Sequence, residues 1–201
     1  VMHADKVVAG LETYIGLVEV GVGLLPGGGG CKEFALRAAQ QAKGDVLAAL
    51  KDYFMAIATA KVGTSALEGQ EIGYLRKTDT VVFNAYELLH VAKSEALALA
   101  EAGYRPPLKV KAFPVAGRSG AASIKGQLVN MLEGRFISQH DFTIAGLIAD
   151  VMTGGDVDAG TLVDEQWILD LERKAFLSLL KNPLTQARIA NMLTTGKPLR
   201  N

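Results

Sequence analysis

Glu19 stands inside an apolar run, Tyr14–Phe34, that reads YIGLVEVGVGLLPGGGGCKEF. A carboxylate among such neighbours is costly to bury unless it takes up a proton or finds partners. Pro26 then turns the chain, and Gly27, Gly28, Gly29 and Gly30 follow without a side chain among them. Consecutive glycines let the backbone come close to something. A helix starting just beyond them would aim its first N–H groups at a ligand or a water. The chemistry on offer is therefore a carboxylate set beside bare backbone donors. The bland alternative is a tight bend with no ligand.

The flanking elements must hold these two features in place. Asp5–Ala9 and Glu12–Val20 are short, rich in Val, Ile and Tyr, and broken by glycine, which predicts two brief strands. Lys32–Lys43 reads as a helix stopped by Gly44, and Asp45 caps the next, Val46–Lys61. Thr64 or Ser65 caps a short helix through Ile72; Thr80–Phe83 reads as a strand and Ala85–Ala102 as a long helix. Composition changes at Tyr104–Gly117, where Pro106, Pro107 and Pro114 lie in an extended segment. Beyond it Ala121–Leu132, Gln139–Met152, Val163–Leu180 and Pro183–Leu193 are helical by periodicity, so strands are expected only before residue 84. The fold class is α/β and mostly helical, with a division expected between residues 1–103 and an all-helical extension, 104–201.

Bulk properties narrow the function. The 201 residues fit one large domain or a domain with an extension, and about half are hydrophobic, enough for a substantial core. Lys+Arg equals Asp+Glu, which argues against a nucleic-acid partner recruited by bulk charge. Cys31 is the single cysteine, so no internal disulfide forms, in keeping with a reducing, cytoplasmic location. No apolar run approaches the ~20 residues that span a bilayer, and no membrane partner or signal peptide is expected. The chain opens with Val1 rather than methionine, Asp5–Ala9 (DKVVA) already looks like the inside of a strand, and the chain is expected to begin partway through a larger protein.

Other motifs are weaker. Gly21-x-Gly23 has Pro26 where a dinucleotide fingerprint needs its third glycine, and the glycines run into Cys31-Lys32-Glu33 rather than the Gly-Lys-Ser/Thr of a P-loop. His3, His90 and His140 show no metal spacing, so no metal is expected. Cys31 lies at a helix start but has no partnered histidine nearby and reads as a packed small residue. Trp167, Leu169, Leu171, Phe176, Leu179 and Leu180 read as core or subunit interface. Arg105, Lys109 and Lys111 read as a solvated loop, and Glu12 as a surface residue.

The stretch GLVEVGVGLLPGGGGCKEF resembles the second signature of the enoyl-CoA hydratase/isomerase (crotonase) superfamily. That signature is a glutamate, a Pro-Gly-x-Gly-Gly turn whose first glycine lies eight residues later, and a helix; Glu19 and Pro26–Gly30 match it. His3-Ala4-Asp5 falls where the family's first signature ends in a small residue and an aspartate, fourteen residues before the glutamate. Ser65-Ala66-Leu67-Glu68 with Gly73-Tyr74-Leu75 resembles a third family stretch. The similarity covers about Val1–Ala102, and the remainder, ending TGKPLRN, resembles the tail of long bacterial 3-hydroxyacyl-CoA dehydrogenases that carry a crotonase domain.

The resemblance implies the second half of a crotonase (ClpP/crotonase-like) domain over 1–103, with docking or oligomerisation helices after it. It implies Glu19 as the carboxylate that handles the C2 proton of a 2-enoyl-CoA, with Gly27 and Gly28 binding substrate and the Gly27 N–H holding a water. The family's other catalytic glutamate and both oxyanion donors would precede Val1, so the chain alone is expected to be inactive. The implied partners are an acyl-CoA thioester, the upstream domains of the same polypeptide and further copies in a homo-oligomer. No cofactor is expected on this part, and NAD is expected only upstream. The implied role is in β-oxidation, by enoyl-CoA hydration within a 3-hydroxyacyl-CoA dehydrogenase polypeptide. Enoyl-CoA isomerisation and a non-catalytic assembly role are the alternatives.

Overall fold

The computed structural model describes Val1–Asn201 and is mostly helical. The chain forms two compact units. One joins Val1–Gly16 to Val62–Lys109, the other Leu17–Lys61 to Val110–Asn201. Packing thus sorts the chain differently from the division expected at residue 104. The segment bearing Glu19 and the glycines shares its unit with the carboxy-terminal helices.

In the first unit β1 (Val8–Gly10) pairs in parallel with β4 (Thr80–Val82), Val8 opposite Thr80. β2 (Ile15–Gly16) pairs antiparallel with β3 (Val62–Gly63). Ser65 caps α3 (Ala66–Ile72) by accepting from the Glu68 N–H, and Gly73 ends it in the left-handed conformation glycine favours. Ala9, Ala66 and Leu75 form a small core covered by Val7, Ile15 and Val81. The long helix expected over Ala85–Ala102 begins as a 3-10 turn, Ala85–Glu87, and continues as α4 (Leu88–Glu101).

The second unit is a helical layer around α1 (Gly30–Gln41), which packs on α2 (Val46–Ala58). Phe34 and Tyr53 stack there with ring centroids 4.4 Å apart. Asp45 accepts from the Ala48 N–H and caps α2 as its sequence predicts. α5 (Gly117–Glu133), α6 (Gln139–Met152), α7 (Glu165–Leu180) and α8 (Pro183–Thr195) complete the layer. Ser138 and Asp141 form a reciprocal capping box on α6. Leu25, Phe34, Leu50, Ile57, Ile148 and Ile168 are among its fully buried residues. The expectation of strands only before residue 84 is corrected: β5 (Phe113–Pro114) pairs with β6 (Leu162–Val163). Two-residue strands are too short to show the alternation by which a strand is read.

Candidate functional site

The carboxylate lies on a turn rather than on a strand. Glu12–Val20, read as extended, holds only the two residues of β2 before a one-turn 3-10 helix begins, Glu19–Val22. Gly23 closes that turn at φ 83°, and Leu24 N–H donates back to the Glu19 carbonyl at 3.1 Å. A side chain at residue 23 would be strained at this φ and would meet Thr185 at 3.0 Å. α8 and α6 brace the turn from behind. Thr185 Oγ1 donates to Gly23 O at 2.7 Å and lies 2.9 Å from His140 Nε2. Since that hydroxyl proton is spent on Gly23, Nε2 is the donor to it, and the His140 ring is held as the Nε2–H tautomer. Its Nδ1 is buried and without a partner. Burial, then the nearby Arg188 charge, pushes His140 below its ordinary value.

Glu19 itself is half-buried, and its Oε2 is buried with no hydrogen-bond partner. A buried, unpaired carboxylate oxygen is expensive, and such exceptions call for an explanation in strain, in a redox or catalytic role, or in a bound water or ion. A cavity of about 430 Å³ is lined by Val20 and Gly21 of the same turn together with Met55, Leu128 and Ile144. Arg188 borders it, bound to Asp141 at 2.8 Å and to Asn201 Oδ1 at 2.8 Å.

The glycine turn has two faces. Gly27 and Gly28 are exposed, and the space a Gly28 Cβ would take is empty. Gly29 takes the left-handed conformation at φ 87° and caps α1. The amides at the start of α1 do not face a free site, as the sequence suggested. Glu172 of α7 occupies them, accepting from Gly29 N–H at 2.6 Å and Lys32 N–H at 3.2 Å. A Cβ on Gly27 would stand 2.6 Å from the ring of Phe176, one turn further along α7.

Around this cap runs a buried ionic chain. Lys32 Nζ bonds Glu165 at 2.7 Å and Glu33 at 3.0 Å, and Arg37 Nε bonds Glu33 at 3.0 Å. Burial pushes Glu172 above its ordinary value, only partly offset by the N–H groups of Gly29, Lys32 and Cys31. Burial would also raise Glu33, but the Lys32 and Arg37 cations win and hold it below its ordinary value. Burial pulls Lys32 down, yet the Glu165 and Glu33 carboxylates outweigh it and leave the ammonium raised. The Cys31 thiol is pushed well up by burial, then by the charges of Glu172 and Glu19. Glu172 thus sits at the start of α1, and Cys31 is a packed residue there, as read from its sequence context.

Of the residues singled out, Glu19, Gly27 and Gly28 fall in one unit, in the segment that leads into α1. Glu12, His3 and His90 are exposed, as are Arg105, Lys109 and Lys111. No three His, Cys, Asp or Glu side chains converge as a metal cage requires. No helix is long and apolar enough to cross a membrane. Glu172 and the contact of Phe176 with Gly27 were missed. A signal existed: Ile168, Glu172, Ala175 and Leu179 are the buried stripe of α7, spaced as one helical face, with a carboxylate at a core position.

No protein-family model matches the chain. It is 45% identical, over 200 residues, to a protein of Bacillus subtilis (strain 168) described as "Probable 3-hydroxyacyl-CoA dehydrogenase". The match takes in 100% of this chain and 25% of that relative, so the chain spans about a quarter of the length of the curated protein it resembles.

Proposed function

We propose that the chain is one part of a longer fatty-acid oxidation enzyme and supplies half of a 2-enoyl-CoA hydratase site. The observation that carries this reading is the buried, unpartnered Oε2 of Glu19, in the segment that leads into the turn where Gly27 and Gly28 are exposed. The likeness to a protein named as a probable 3-hydroxyacyl-CoA dehydrogenase supports the wider setting, since hydration yields the 3-hydroxyacyl-CoA such an enzyme oxidises.

Water adds across C2=C3 of the enoyl thioester: a proton goes to C2 and hydroxide to C3. Glu19 gives the C2 proton and regains one from the water as general acid and base. The Gly27 N–H holds that water, which a bare α-carbon lets come close. The enolate-like thioester oxygen needs backbone N–H donors. Those donors and a second glutamate belong to the part of the polypeptide that precedes these residues. NAD belongs there too.

Glu19→Gln in the full-length polypeptide tests the reading. The change keeps shape and removes the proton carrier, so crotonyl-CoA hydration falls by roughly 10²–10⁴-fold. Unchanged hydration would transfer the chain to an assembly role. A second reading, double-bond isomerisation, is favoured by one observation. Glu172, the other carboxylate at this turn, is committed to amides, leaving Glu19 as a single acid–base group. Isomerisation that persists where water addition is absent selects it.

A further inference from the structure

The glycine turn is shaped by a helix more than a hundred residues away in the chain. Glu172 reaches back 143 positions to the Gly29 N–H at 2.6 Å and takes the Lys32 N–H at 3.2 Å. The carboxylate is only 1% exposed, so it is no surface ornament. It meets the positive end of the α1 dipole with charge-assisted bonds, the strong class of hydrogen bond. Four residues on, Phe176 lies under Gly27 so closely that a Cβ there would stand 2.6 Å from the ring. One face of α7 thus holds both ends of the turn: Glu172 grips Gly29, and Phe176 supports Gly27. Between them lies Gly28, its side-chain space open.

We infer that Glu172 and Phe176 are positioning residues of the hydratase site, fixing the direction of the Gly27–Gly28 amides while touching neither substrate nor water. The inference rests on the hydratase reading and assigns part of that site's precision to the carboxy-terminal helices. Glu172 is the stronger anchor because a misdirected donor loses its value steeply. A displacement of about 1 Å in a catalytic arrangement costs as much as 10²-fold in rate. A neutral amide at residue 172 keeps one acceptor but presents an NH₂ to a backbone donor, which loosens the grip on Gly29 or Lys32.

The test uses the full-length polypeptide with crotonyl-CoA and compares wild type, Glu172→Gln, Phe176→Leu and, as a surface control on the same helix, Lys174→Ala. Glu172→Gln is expected to lower kcat about 10-fold or more with KM within about two-fold, a split that loss of folded protein does not produce once active fraction is normalised. Amide exchange across Leu25–Lys32 should rise at least about 10-fold in the same variant. Phe176→Leu should lower kcat by several-fold with KM unchanged, and it carries the test if Glu172→Gln does not fold. Lys174→Ala should match wild type. Unchanged exchange, or faster exchange with wild-type kcat, in the folded variant overturns the inference. Its failure is separable from that of the hydratase reading. A wild type that hydrates and needs Glu19 but ignores residue 172 sinks only this inference, whereas a wild type without hydratase activity sinks both.

Discussion

The contact between Gly27 and Phe176 can be measured directly. Gly27 is not at positive φ, so alanine there carries no backbone strain, and its cost is steric. The new Cβ would lie 2.6 Å from Cδ2 and 2.9 Å from Cε2 of the ring. Carbon pairs sit comfortably at about 3.5–4.0 Å, so close to 1 Å must be found by moving a half-buried ring or the turn. Inserting a methyl into a packed site costs about 1–3 kcal/mol. Gly27→Ala is therefore expected to lower urea-unfolding stability by about 1–3 kcal/mol. Phe176→Ala alone also destabilises, through lost burial. The double variant should cost less than the sum, because removing the ring opens the space that the methyl needs. Residues in contact couple by about 0.5–3 kcal/mol. Additive costs in a complete double-mutant cycle, within about 0.3 kcal/mol, would refute the packing described between the turn and α7.

Two further predictions follow from the polar interior of the same unit. Glu33 is held below its ordinary value of 4.5 by Lys32 and Arg37, after burial has pushed the other way. Its stabilising contribution is thus present above that pH and is lost as pH falls through the depressed folded value; Glu33→Gln should flatten this acid limb in urea titrations, and a limb as steep as wild type would be the wrong outcome. Thr185→Val strips the Gly23 carbonyl and the His140 ring of their shared hydroxyl at a buried point. A loss of about 1–3 kcal/mol in chemical unfolding is expected, and a neutral effect would mean that the hydroxyl does not bear on the Glu19 turn.

The helices were legible in the chain for local reasons. Asp45, Ser65, Ser138 and Pro183 are terminus signals that act within one turn, and each marks the start of its helix. The Glu19 segment reads as strand because Val, Ile and Tyr favour extended backbone, while the deciding influence is Gly23 with Thr185 behind it, 162 residues away. β5 and β6 escaped because each is a two-residue pairing. At the turn, Glu19, Gly27 and Gly28 could be chosen by residue type and spacing. What faces the α1 amides could not, since Glu172 lies at the far end of the sequence and only its place on the buried stripe of α7 betrays it. The compact units do not follow the composition change at Tyr104–Gly117, because burial follows apolar faces rather than chain order.

The 143-residue span between Gly29 and Glu172 also sets an order of events during synthesis. At ~5–20 residues per second, the ribosome needs about 7–30 s to deliver α7 after the glycines emerge. Through that interval the first turn of α1 keeps unmet donors, and Lys32 has Glu33 beside it but not Glu165. The bend that the chain writes early is thus among the last parts to set, and a nascent chain stopped short of residue 172 holds the letters of the motif without its shape.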